Sequence, residues 1–395
     1  MKLIRSRDAI KIIVSQICSG VATWCITLGI QMIIIFKYNA NIAGVSVLYA
    51  AALVPRIVLP SFIGTLLDKL GNRIYFVRGA RIVAGFIATV CYFQKDSGAL
   101  LFMVILLNSA LSVEEPGMIG IIRNLPQKDH TQNFNLLGIY YMLEDIIKII
   151  GPAMAAGISF FLGITRLFSL AVILFLLSFV LLNVHTGKDI NNVKGEAIKK
   201  SIKLEVVKEI FRNKELGYVF VIVFTFLFAL NAIDTSSGIL IRTFTHKSYV
   251  QAVFVTLMGV GGTLGALSVL KLDKKYKLLN ICLISMFCFG VLISLVVFVK
   301  SLTSLLLIVT LAGILSPGII MAAELKKQKL IDKEKASRLS GITVTVNSIA
   351  QLAGIALSPL IVTKISVNGI FAFCGLLMIS VALLGIVGHR RMAKD

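Results

Sequence analysis

The sequence predicts an all-α polytopic membrane protein, twelve transmembrane helices in two pseudo-symmetric six-helix bundles. Three observations predict it. Of 395 residues, 57% are hydrophobic and 15% charged, whereas a soluble domain is nearer half apolar and about a quarter charged. The apolar residues gather into twelve runs, each near the ~20 residues that a spanning helix needs. Features of the first six runs recur in the last six.

The runs are 10–36, 42–67, 74–94, 98–122, 133–162, 165–185, 215–241, 249–271, 278–299, 302–323, 338–364 and 368–388. Only helices and closed barrels satisfy their backbone in lipid, and runs this long and apolar are helices. Lys2, Arg5, Arg7 and Lys11 precede most of the first run. That run is too long for a signal-peptide core and has no clear small-residue cleavage site, so it reads as a retained first helix. The one long polar segment, His185–Lys214, is rich in lysine and contains an amphipathic piece, Ile198–Phe211. It divides the chain into an N-terminal bundle (1–186), a linker (187–214) and a C-terminal bundle (215–395).

Charge sets the orientation. The net charge of +21 would suggest nucleic acid if the bases lined one soluble face. They fall instead in the gaps between runs, so no nucleic-acid partner is expected. Of the 40 bases, 31 lie on the gaps that share a side with the N-terminus and seven on the others. The asymmetry predicts both termini and the linker in the cytoplasm, with the chain multi-pass in the inner membrane.

The halves resemble each other at one spacing. Glu115-Pro116-Gly117 matches Ser316-Pro317-Gly318, Gly151-Pro152 matches Ser358-Pro359, and Asp68-Lys69 matches Asp273-Lys274, with offsets of 201, 207 and 205 residues. Parallel duplicated halves are a transporter arrangement.

Soluble-enzyme chemistry is missing from the pattern. There is no P-loop, which disfavours ATP-driven transport. His130, His185, His246 and His389 are scattered, so neither a metal site nor another cofactor is expected. The six cysteines lie inside apolar runs without a C-x-x-C pair and read as packing. Gly259-Val260-Gly261-Gly262 with Gly265 lies in an apolar helix and reads as a close helix contact.

Ionisable residues inside the runs carry more information, because each is costly there and faces a cavity or a partner. They are Arg56 in the second run, Glu114 and Glu115 in the fourth, Glu144, Asp145 and Lys148 in the fifth, and Asp234 in the seventh. Lys148 is within helical reach of both Glu144 and Asp145. Asp234 has no base within one turn, which marks it as a cavity-lining or titrating acid. The first-bundle residues lie at similar depth and are expected to form one network of four acids and two bases, Arg56 and Lys148. Its two excess negative charges in low dielectric favour at least one retained proton. The alternative is a network that only holds helices together.

The turn between the second and third runs reads Gly64-Thr65-Leu66-Leu67-Asp68-Lys69-Leu70-Gly71-Asn72-Arg73. Its pattern, G-x-L-x-D-[RK]-x-G-x-[RK], resembles the loop signature of the major facilitator superfamily, with Asn72 departing from the usual base. Gly151-Pro152 with Gly138 and Gly157 resembles the kinked signature of that family's exporters, at looser spacing. The stretch from Arg123-Asn124-Leu125-Pro126 to Gly157, and Arg338-Leu339-Ser340-Gly341, are similar to the bacterial branch of macrolide-efflux and enterobactin-type siderophore exporters. The resemblance implies a secondary transporter rather than an enzyme: proton-coupled efflux of an amphipathic small molecule, drug or siderophore, by a monomer in the bilayer. It also implies a gating loop of Gly64, Asp68, Lys69, Gly71 and Arg73, with Asp68 set against the start of the eleventh helix. A proton-coupled nutrient importer is the alternative within the fold. A membrane-embedded enzyme or lipid scramblase lacks a clustered nucleophile and base.

Overall fold

The computed structural model describes residues 7–70, 73–94, 96–125, 130–184, 214–272, 276–330 and 336–392. These are helical almost throughout, with no strand among them. The helices are α1 (Arg7–Met32, extended by a π-turn over Ile33–Lys37), α2 (Ile42–Leu70), α3 (Arg73–Phe93), α4 (Ser97–Leu111), α5 (Glu114–Arg123), α6 (His130–Phe161) and α7 (Thr165–Leu181). The second half contributes α8 (Lys214–Phe244), α9 (Tyr249–Leu272), α10 (Leu278–Ser294), α11 (Leu302–Leu330) and α12 (Ala336–Met392).

Among the described residues, nine helical stretches are long and apolar enough to cross a membrane. One of these, Ile342–Val387, holds 46 residues and covers most of the expected eleventh and twelfth spans, folded at Ser366 where φ is 74° and ψ 169°. Two expected spans fall outside the nine for plain reasons. Thr165–Leu181 has only 17 residues, and α6 carries Glu144, Asp145 and Lys148.

The fourth span is broken rather than continuous. Pro116 has no N–H to offer the carbonyl of Ser112, so α4 ends at Leu111 and α5 starts afresh at Glu114. The break puts Glu114 and Glu115 in the first turn of a helix, where the free N–H groups favour negative charge. Its repeat partner Pro317 sits inside the unbroken α11. The polar turn expected at 64–73 is shorter than its sequence pattern, because α2 continues through Leu70.

The chain forms two compact units. The first comprises Met1–Ala40, Val47–Lys194 and Lys247–Thr256; the second comprises Asn41–Ser46, Gly195–His246 and Leu257–Asp395. In the first, α1 packs on α6 and α7, and α3 packs on α7, α4 and α5. In the second, α8 packs on α12 and α11, and α10 packs on α12 and α11. The pairing repeats between halves, as duplication requires. The Gly-rich stretch of α9 makes the close contact expected of it. A Cβ at Gly261 would strike the Thr310 carbonyl, and one at Gly265 the Ile314 carbonyl, both on α11. Gly265→Leu is therefore expected to separate α9 from α11 and lower the melting temperature of purified protein by several degrees. An unchanged melt would show that this approach is not needed.

Apolar packing in the first unit comes in two layers. One gathers Ala9, Ile12, Met118, Ile121, Leu136 and Leu182. The other gathers Ala22, Ile26, Leu28, Leu107, Phe168 and Phe175. Between them on α1 lie Ser15, Gln16 and Ser19, all buried. Polar groups in such a place persist only when their hydrogen bonds are made.

Candidate functional site

Those bonds are made around Arg81 of α3, whose side chain is fully buried. Its Nε donates to Glu114 Oε1 at 2.8 Å, an ion pair whose carboxylate is only 12% exposed. Its Nη2 donates to Gln16 Oε1 at 3.2 Å and approaches Met118 Sδ at 3.8 Å. Its Nη1 donates to Ser15 Oγ and, at 3.4 Å, to the Ser178 carbonyl. Ser15 Oγ also reaches that carbonyl, at 2.9 Å, while Ser178 Oγ donates to the Ser15 carbonyl at 2.7 Å. Ser19 Oγ donates to Glu114 Oε1 at 2.5 Å. Gln16 Nε2 donates to Glu144 Oε1 at 2.6 Å. One guanidinium thus ties α1, α3, α5 and α7 together, and through Gln16 reaches α6. Only arginine presents several donors in a fixed fork that suits this set.

The expected first-bundle network is brought together in part. Glu114 and Glu144 belong to it. Glu115 is exposed, and Arg56 on α2 is exposed by surface while facing the carboxylates of Glu114, Glu144 and Glu115. Ser112 Oγ, donating to the Pro55 carbonyl at 3.2 Å, fixes α4 beside that part of α2. Asp145 and Lys148 stand apart. They pair with each other at 2.8 Å, with side chains 77% and 60% exposed, so Lys148 acts on Glu144 only from a distance and its charge is offset by Asp145. The network in the structure has three acids with Arg56 and Arg81, rather than four acids with Arg56 and Lys148.

Asp234 lies half-buried on α8 in the second unit, with no ion pair among the described residues. Its neighbours spend their bonds on their own helix: Asn231 Nδ2 on the Leu227 carbonyl at 2.9 Å, Thr235 on Asn231 at 2.7 Å and Ser236 on Ala232 at 2.9 Å. At the start of that helix Glu215 pairs with Lys326 at 2.7 Å. Buried Lys327 pairs with Glu324 at 2.5 Å and lies over the Phe220 ring. These two lysines sit within α11, as Arg78 and Arg81 sit within α3.

Gly151 meets a specific neighbour. A Cβ there would lie 2.6 Å from the Trp24 ring, so the glycine lets α1 rest its indole on α6 beside buried Pro152. Gly138 and Gly157 have open space around their Cα atoms. Of the gating loop, Gly64 also has open space, and Arg73 lies over Gly120 of α5. The side chains of Asp68 and Lys69, the side chains at 338–341, the whole of Gly71, Pro126 and the 187–213 part of the linker lie outside the described residues.

Sequence reasoning missed Arg81, Gln16, Ser15, Ser19 and Ser178. One signal was present: Ser15, Gln16 and Ser19 form a polar stripe at helical spacing in an otherwise apolar run.

The class of protein follows from the family comparison, which gives a membrane transport protein rather than an enzyme. Residues 12–355 match the model of the Major Facilitator Superfamily, and the chain belongs to that family as a multi-pass membrane protein. No curated protein matches the sequence significantly. Among solved structures, a variant of the nucleoside transporter NupG superposes with a TM-score of 0.74 at 13% identity, covering 97% of this chain and 99% of that one. An inward-facing, unoccupied bacterial homologue of the human lysosomal transporter Spinster gives 0.70 at 11% identity, covering 97% and 95%. A POT family transporter in complex with a thioalcohol-conjugated peptide gives 0.69 at 15% identity, covering 98% and 96%. At these identities the likeness is one of fold.

Proposed function

We propose that this chain is a proton-coupled exporter of an amphipathic small molecule, working by alternating access as a monomer in the inner membrane with both termini inside. One observation supports coupling above the rest. Within the spans of the first unit, Glu114, Glu115 and Glu144 face Arg56 while Arg81 pairs with Glu114 and reaches Glu144 through Gln16, one acid in excess once Lys148 is offset by Asp145. A single bound proton balances that set, and uncompensated charge at this depth is costly. Glu114 is held by Arg81 and Ser19, whereas Glu144 is held by a neutral amide. Glu144 is therefore the proton carrier in this reading. The resemblance of Gly151-Pro152 and the 123–157 stretch to the siderophore and macrolide branch supports export of an amphipathic molecule, drug or siderophore, without fixing which. Uptake of a nutrient is the second reading. Only the fold, which nucleoside and peptide transporters share, supports it.

The test is transport in liposomes of purified protein with an imposed pH gradient and a panel of macrolides, siderophores and amphipathic amines. Substrate-dependent proton movement is expected, with accumulation against the proton flux. Flux that moves no protons and ignores the gradient would sink the coupling. Accumulation in the same direction as the protons would establish import.

Topology is tested separately. With Ala40→Cys, Ile190→Cys and Arg390→Cys, an impermeant thiol reagent added to intact cells should label position 40 alone. Labelling at 190 with 40 protected would reverse the orientation.

A further inference from the structure

Gln16 is 2% exposed, and both ends of its amide are used. Arginine only donates hydrogen bonds, so the amide oxygen must face Arg81 and the amide nitrogen must face Glu144. The bond to Glu144 therefore runs in one direction. The carboxylate oxygen that receives it, Oε1, has an N–H pointing at it and cannot also carry a proton on that side. We propose that Gln16 is a positioning residue for Glu144: held in orientation by Arg81, its amide confines the exchanged proton to Glu144 Oε2. This rests on the reading of Glu144 as the proton carrier.

The arrangement also separates two carboxylates. Glu114 and Glu144 both connect to Arg81, one directly and one through Gln16. An amide passes on the orientation of a hydrogen bond but does not itself take up a proton near neutral pH. Gln16 thus links the two acids electrostatically and blocks proton exchange between them along this path. The charged groups around Glu144 are Arg56 on α2, Glu114 and Glu115 on α5, and Lys148 on its own helix, with the Tyr140 hydroxyl also near. Among the described residues, the hydrogen bond that orients the Glu144 side chain is the one from Gln16, at 2.6 Å.

The test reads the proton directly and needs no substrate. Purified protein in lipid nanodiscs is titrated while the infrared carbonyl stretch of protonated carboxyls is followed. Glu144→Gln should remove one titrating band. Gln16→Leu removes a donor to the charged form, a bond of the stronger kind, so the Glu144 band should report proton binding tighter by about tenfold or more. Gln16→Asn, one methylene shorter, cannot reach both partners and should behave like Gln16→Leu. If Gln16→Leu does not fold, Gln16→Glu keeps the shape and the bond to Arg81 but brings a second carboxyl to Glu144. It should show two coupled titrations in place of one. A wild-type titration in folded Gln16→Leu, or a single unmoved titration in Gln16→Glu, overturns the positioning role. Persistence of the full band in Glu144→Gln overturns instead the choice of Glu144.

Discussion

Replacing Arg81 with methionine is expected to destabilise the protein by about 3–5 kcal/mol, the cost of breaking a buried ion pair by removing one partner. The side chain is fully buried, and its loss strips Glu114 of its counter-charge while Ser15 and Gln16 lose a donor. Arg81→Lys keeps the charge but has one flexible ammonium for partners on three helices, so it should recover only part of the loss. The informative variant is the pair Arg81→Met with Glu114→Leu. It leaves no orphaned charge and should be more stable than Arg81→Met alone. The double-mutant cycle then isolates the pair itself. Thermal melting in detergent, followed by size-exclusion profile, measures all four proteins. If Arg81→Met melts with the wild type, the layer does not hold α1, α3, α5 and α7 together.

The fold was legible because its signals are collective. Twelve apolar runs and a repeat near 205 residues do not depend on any one side chain. The site was legible only where a residue announced itself by being out of place. Glu114, Glu144 and Asp234 interrupt apolar runs and were found. Arg81 was not, because a base eight residues into a span looks like the end of a basic flank. What makes it a core residue is Ser15 and Gln16, 65 or more positions away in sequence. Lys148 shows the same limit from the other side. Helical spacing allowed it Glu144 or Asp145; the structure pairs it with Asp145, while Glu144 takes its hydrogen bond from Gln16 on a different helix. Pro116 was noted as part of a repeat, but whether a proline bends a helix or ends it depends on its neighbours. Here it ends α4 and sets two acids on a helix N-terminus, while Pro317 does neither.

Glu144→Gln is expected to abolish substrate-driven proton movement while leaving downhill counterflow. The amide has the size of the acid and can still accept from Gln16, so packing between α1 and α6 is kept. It carries no charge in any state, which fixes the first unit in the balance that a bound proton gives the wild type: Glu114 and Glu115 against Arg56 and Arg81. A transporter frozen in that balance can exchange substrate across the membrane but has no proton to release. Glu114→Gln should behave differently. It leaves Arg81 without its ion-pair partner and should lower stability before it alters coupling. Asp145→Asn only opens an exposed pair, worth about 0–1 kcal/mol, and should leave coupling intact. Asp234, half-buried and without an ion pair among the described residues of the second unit, is the rival. Each variant is scored by proton release on adding substrate and by counterflow without a gradient. If Glu144→Gln keeps substrate-driven proton release and Asp234→Asn loses it, the carrier is on α8. The layer around Arg81 is then a structural clamp whose charge imbalance plays no part in transport.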